Sequence, residues 1–167
     1  MRPLRNSSLY AVAGFLVVAA PALVSGQVAD PDATRVENAR ATCARDDAKN
    51  SFPADATVFV GSSSIVGWDT GHRFPGMPLI NRGFGGSQMS DLVHYVEETV
   101  LRYTPRTVVV YEGDNDTFYG VDPMTIAGQL KQVIMKIHAA SPDTRVYVLS
   151  VKPSLARVNV WDKAQET

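Results

Sequence analysis

Thr57-Val58-Phe59-Val60-Gly61-Ser62-Ser63-Ser64-Ile65 decides the fold. Its first half is a short, apolar, β-branched run, the pattern of a strand buried inside a parallel sheet. The run ends in one glycine and three serines. Open α/β sheets gather their chemistry at the carboxyl ends of strands, so a small polar cluster there is a candidate site. Ser62, Ser63 and Ser64 are all candidate nucleophiles on this stretch alone. Serine is also a favoured helix N-cap, and a Ser-rich cap would look the same.

The pattern that follows alternates strands with helices. A helix is expected over Ile65–Trp68, then a loop from Gly71 to Met77. A short strand follows at Pro78–Arg82, and Gly83-Phe84-Gly85-Gly86-Ser87 makes a glycine turn. Met89, Leu92, Val93, Val96 and Val100 mark one face of a helix. Thr107–Tyr111 is the clearest strand, ending in a polar turn, Glu112-Gly113-Asp114-Asn115-Asp116. Asp122-Pro123 starts another helix, with proline at its first position. Its buried face holds Ile126, Leu130, Val133, Ile134 and Ile137, and Arg145–Val151 is a fourth strand. Parallel strands need crossovers, and each crossover is a covering helix, so the fold class is an α/β three-layer sandwich with a parallel sheet. Four turns then share one edge: Gly61–Ser64, Gly83–Ser87, Gly113–Asp116 and Lys152–Ser154.

Upstream of this body, Arg2 and Arg5 precede an apolar run from Leu9 to Val24. That run is shorter than the roughly 20 residues a bilayer-spanning helix needs. Small residues at Val24-Ser25-Gly26 suit a signal peptidase, so residues 1–26 read as a signal peptide cleaved before Gln27, and the protein as exported, periplasmic or secreted. Residues 27–55 read as a helical segment, with Val36, Ala39 and Cys43 at helical spacing, and the α/β body spans 56–167. A net charge of −1 gives no electrostatic case for a nucleic-acid partner. The single cysteine, Cys43, forms no internal disulfide and reads as a half-buried thiol on a helix. No cofactor and no metal are expected, since the sequence has no Walker pattern and no clustered metal-ligand spacing. The glycine turn places Gln88 where a dinucleotide fingerprint has its third glycine, and it follows the second strand instead of the first.

Acyl transfer from an ester needs a nucleophile, a base and donors aimed at the developing oxyanion. A serine after the first strand can be the nucleophile. Backbone N–H groups of Gly83, Gly85 or Gly86 can be donors, and Asn115 supplies the only side-chain amide of its turn.

Gly-x-Ser after strand one, a glycine turn after strand two and Gly-x-Asn-Asp after strand three together resemble the SGNH (GDSL) hydrolase family. The resemblance implies its flavodoxin-like fold and hydrolysis of a small-molecule ester, either an acyl ester or an O-acetylated carbohydrate. It implies Ser63 as the nucleophile, with Ser62 and Ser64 standing where the family usually has Asp and Leu. It maps the second-block glycine to Gly86, with Gly85 as the neighbouring alternative. Asn115 becomes the oxyanion amide. Lys152-Pro153-Ser154, with Trp161 after it, resembles one bacterial branch. The family's last block, Asp-x-x-His, follows a fifth strand that this chain does not reach, so the last strand and helix are expected to be missing. The expected consequences are impaired activity and an open sheet edge with an uncovered apolar face. Asp69-Thr70-Gly71-His72 and Asp91-Leu92-Val93-His94 repeat the spacing at the wrong places, and His138 lies near a helix end. The rival expectation is a non-catalytic binding module that keeps the pocket.

Overall fold

A computed structural model of the chain describes residues 33–167. The expected signal peptide lies outside the described residues, as does the first part of the segment 27–55. The described chain runs α1 (Ala33–Lys49), β1 (Thr57–Gly61), α2 (Ser63–Val66), α3 (Thr70–Arg73), β2 (Leu79–Gly83), α4 (Met89–Thr99) and β3 (Thr107–Tyr111). It continues through α5 (Asp114–Phe118), α6 (Pro123–Ala140), β4 (Arg145–Val148), a 3-10 segment (Leu155–Val160) and α7 (Trp161–Glu166).

The four strands form one parallel sheet in the order β2-β1-β3-β4. The register brings Gly61, Gly83 and Tyr111 abreast, so the turns after β1, β2 and β3 open at one level. Alternation along each strand then divides the core. Val58, Val60, Val108 and Val110 face α4 and α6, where Met89, Leu92, Val96, Ile126, Val133 and Ile137 complete a fully enclosed cluster. Phe59 and Tyr111 face the other way, against Ile65 of α2, with Trp68 and Phe74 beside them. Trp68 meets Phe59 edge-on at 5.3 Å.

Three expectations are corrected. The expected loop Gly71–Met77 is helical at its start, because α3 begins at Thr70 and the Asp69 carboxylate caps it by accepting the His72 N–H. The polar turn after β3 winds at once into α5, with Gly113 at φ +107° as its N-cap. β4 stops at Val148, short of the expected Val151. Leu149 still donates to the Val110 carbonyl, but β3 ends at Tyr111 and Gly113, at φ +107°, turns the chain into α5, so β3 offers β4 no further pairing position.

Helix α1 is fastened to the body near β2. Arg82, 4 % exposed, donates to Asp47 of α1 at 2.6 Å and to the Tyr103 hydroxyl at 2.7 Å. Tyr103 donates to the same carboxylate at 2.8 Å, and Arg102 lies 2.8 Å from it. A buried guanidinium is tolerable because it is paired in this way. Arg40 adds an exposed fork onto Glu98. Cys43 is half-buried on α1, as its spacing predicts, and burial pushes its thiol pKa up. Among the described residues no helix is long and apolar enough to cross a membrane.

Among the described residues, the second face of the sheet is covered only over β1 and β2. Beyond α3 a groove of about 590 Å³ runs over Val109, Tyr147 and Leu149, with Arg106 and Arg145 among its lining residues. Tyr147 and Val148 of β4 are exposed. This matches the uncovered apolar face that the sequence leads one to expect.

Candidate active site

The three serines after β1 occupy three different environments. Ser62 is 1 % exposed, its N–H donates to the Tyr111 carbonyl, and its side chain makes no cap to α2. Ser62 thus occupies the N-cap position that a Ser-rich cap implies, with its carbonyl accepting from Ile65 and Val66 N–H but without a side-chain cap bond. Ser64 is half-buried and its hydroxyl accepts from Lys152 Nζ at 2.5 Å. Only Ser63, the first residue of α2, is exposed. Its backbone N–H donates to no acceptor among the described residues, as expected for the first turn of a helix.

Gly61 makes this arrangement possible. Its φ is +145°, and a Cβ there would lie 2.0 Å from the Tyr111 carbonyl oxygen. Without a side chain, β1 and β3 stay close while the chain turns sharply into the serines.

The glycines after β2 differ in what their surroundings demand. Gly83 lets α2 lie on the sheet, since a Cβ there would be 2.6 Å from Val66 N. Gly85 is exposed with open space around it. Gly86 has φ +78°, the left-handed region that favours glycine, and its N–H donates to no acceptor among the described residues. Of the two glycines considered as oxyanion donors, Gly86 is thus the one whose backbone requires glycine.

Helix α5 holds the turn after β2 in place. Asn115, buried, donates through Nδ2 to the Ser87 carbonyl at 2.8 Å. The Ser87 hydroxyl donates to Glu112, also buried. The Asp116 carboxylate accepts the Met89 N–H at 2.9 Å and so caps α4. Burial pushes the Asp116 carboxyl up from 3.8 to about 6, against the lowering effect of that bond. One side-chain amide N–H of Asn115 is used on Ser87; an amide carries two.

The segment after β4 closes over the same edge. Lys152 Nζ also lies 5.0 Å over the Tyr111 ring. Arg157 donates to the Asn115 side-chain oxygen at 2.8 Å and to the Asp114 carbonyl at 2.5 Å, and its guanidinium stacks 4.8 Å from the Phe118 ring. Sequence reasoning missed Arg157, Glu112 and Ser87. Arg157 sits in a 3-10 segment of no periodic pattern, 42 residues from Asn115, and no local signal links the two.

No histidine completes the group among the described residues. His72, His94 and His138 are all exposed, and His138 Nε2 lies 3.1 Å from the Thr144 carbonyl. Both Asp-x-x-His repeats are explained by helix capping: Asp69 accepts from His72 N–H, and Asp91 accepts from Gln88 N–H in a capping box. Of the aromatics near strand ends, Trp68 and Phe84 belong to the interior, whereas Phe118 and Tyr119 are exposed.

These features, in this order on one sheet edge, have a counterpart among known proteins. The model of the GDSL-like lipase/acylhydrolase family matches residues 58–166, well over half of the chain. The chain belongs to this family. A GDSL-like lipase from Bacteroides thetaiotaomicron VPI-5482 has a similar structure, with 22% identity and a TM-score of 0.64 over 76% of this chain and 66% of that one. A candidate platelet activating factor from Streptococcus pneumonia is 19% identical, with a TM-score of 0.66 over 78% of this chain and 61% of the other. A family 3 carbohydrate esterase from Clostridium thermocellum is 15% identical, with a TM-score of 0.52 over 67% and 69% of the two chains. At such identities the likeness concerns the fold. This chain spans between three-fifths and two-thirds of the length of the first two structures. No curated protein matches it.

Proposed function

We propose that this GDSL-family chain carries the nucleophile and oxyanion site of a serine esterase acting on small acyl esters or O-acetylated carbohydrates. One observation carries the reading. The only exposed serine of the cluster, Ser63, opens α2 with a free N–H, beside a turn whose Gly86 N–H is also free and which Asn115 ties in place. Membership of an acylhydrolase family and the fold of a carbohydrate esterase support the substrate class. The apolar stretch 9–24 supports export to the periplasm or beyond.

In this mechanism Ser63 Oγ bonds to the ester carbonyl carbon and passes its proton to solvent water, which delivers one to the departing alkoxide. The carbonyl electrons move onto oxygen, where the N–H groups of Ser63 and Gly86 and the Asn115 amide receive them. Collapse expels the alcohol, and water repeats the attack to release the acid and restore Ser63. Donors fixed beforehand are worth more than mobile ones because they need no reorganisation as charge develops. With no histidine at Ser63 among the described residues, hydrolysis is slow and rests chiefly on the oxyanion site, which still gives about 10³–10⁴-fold over water in triad-deficient enzymes.

The test is hydrolysis of 4-nitrophenyl acetate and an acetylated xylo-oligosaccharide by the purified chain and by Ser63→Ala. Loss of the measured rate in Ser63→Ala supports the reading, and an unchanged rate overturns it. A second reading, a binding module that no longer turns over, is favoured by the exposed positions of His72, His94 and His138, none of which meets Ser63 among the described residues. It predicts that acetylated oligosaccharide binds while neither protein hydrolyses it faster than buffer.

A further inference from the structure

We infer that Arg157 is a positioning residue for the oxyanion site, acting through the Asn115 amide. The inference rests on the esterase reading above. A side-chain amide can turn about its last torsion and exchange its oxygen and nitrogen, and only one of the two orientations offers N–H to an oxyanion. Asn115 is held in that orientation from both ends. Its nitrogen donates to the Ser87 carbonyl at 2.8 Å, and its oxygen accepts from Arg157 Nη2 at 2.8 Å. If the amide turned over, its oxygen would face the Ser87 carbonyl and its N–H groups a cation, losing both bonds.

Arg157 is itself placed with directional specificity. Nη1 donates to the Asp114 carbonyl at 2.5 Å and lies 3.4 Å from the Asp114 carboxylate, while the guanidinium plane covers Phe118 at 4.8 Å. A planar fork that meets a carbonyl, an amide oxygen and a ring face at once has a geometry a lysine cannot copy. There is also an electronic consequence. A cation on the amide oxygen draws charge through the C–N bond and makes the remaining N–H a stronger donor, as bonds in a chain polarise one another. Arg157 thus connects the segment after β4 to the chemistry after β3, and makes that segment part of the site instead of a passive cover.

The test is a double-mutant cycle on the full chain, with Ser63→Ala as the reference for site-dependent hydrolysis of 4-nitrophenyl acetate. Asn115→Ala removes the donor and is expected to lower kcat by about 10²–10³-fold. Arg157→Met is expected to lower kcat by about tenfold with KM little changed, and Arg157→Lys to recover only part of that loss. In the Asn115→Ala background Arg157→Met should cost nothing further, because its route to the oxyanion is gone. Free guanidinium at sub-denaturing concentration should partly restore Arg157→Ala, a response a purely structural role would not give. Circular dichroism and thermal melting of each variant confirm that only folded proteins are compared, and Arg157→Lys keeps the cycle available if Arg157→Met does not fold. Additive losses in the double variant, or full activity in Arg157→Met, would overturn the inference while leaving Ser63 as nucleophile. Hydrolysis that survives Ser63→Ala would overturn both readings.

Discussion

Asp116 gives a pH prediction whose sign can be worked out. Its carboxylate is 1 % exposed, accepts the Met89 N–H at the start of α4, and sits in surroundings that raise its pKa from 3.8 to about 6. The folded state therefore binds this proton more tightly than the unfolded chain. Between those two values the folded protein holds the proton and the unfolded chain does not, so stability falls as pH rises through the window. At about 1.36 kcal/mol per pKa unit, a rise of that size makes the protein about 3 kcal/mol less stable at neutral pH than this group leaves it well below pH 3.8. Asp116→Asn removes the titration and leaves an oxygen to accept the Met89 N–H. Its extra amide hydrogens add a cost in a buried site of about 1–3 kcal/mol, but that cost does not vary with pH. The measurable quantity is the gap between the two proteins. Urea unfolding from about pH 4 to pH 7 should show the stability of Asp116→Asn gaining on the parent by about 2.4 kcal/mol across the range. A stability difference that does not change with pH, or one in which Asp116→Asn loses ground to the parent as pH rises, would refute the placement of Asp116 as a buried, reluctantly ionised cap.

Three further predictions concern stability. Gly61→Ala places a Cβ 2.0 Å from the Tyr111 carbonyl oxygen and should cost more than about 4 kcal/mol, read as loss of a cooperative thermal transition. Gly85→Ala, in open space, should change stability by less than about 0.5 kcal/mol in the same assay. Asp47→Ala leaves the Arg82 guanidinium, 4 % exposed, without its carboxylate, and should destabilise the protein by about 3 kcal/mol in urea unfolding. Its companion effect is earlier proteolysis within α1, whose attachment runs through that pair.

Most of the strand–helix order can be read from periodicity because burial imposes it residue by residue. Val58, Val60, Val108 and Val110 read as buried strand and are completely enclosed. Asp122-Pro123 reads as a helix start, and Asp122 does accept from the Met124 and Thr125 N–H groups. The misread pieces are short. α3 and α5 have four and five residues, too few to show a period, and each is set by a cap whose residues also favour turns.

The site shows the same division. The glycine–serine cluster, the glycine turn and the Asn-bearing turn are local motifs, and the parallel alternation places them on one edge. On sequence alone they name the family and a set of possible nucleophiles and donors. Telling the three serines apart took the tertiary structure, which buries Ser62 against β3, occupies Ser64 with Lys152 and leaves Ser63 exposed. The structure also separates Gly83, needed for packing, from Gly86, held at positive φ. It assigns the aspartates of both Asp-x-x-His repeats to helix capping. The Arg157–Asn115 contact could not be foreseen, because it joins residues 42 apart through a segment with no repeating pattern. Periodicity records which face of an element avoids water, and that much the chain carries in its own order. Which polar atoms then meet across the carboxyl edge depends on how several strands align, and only the folded sheet decides it.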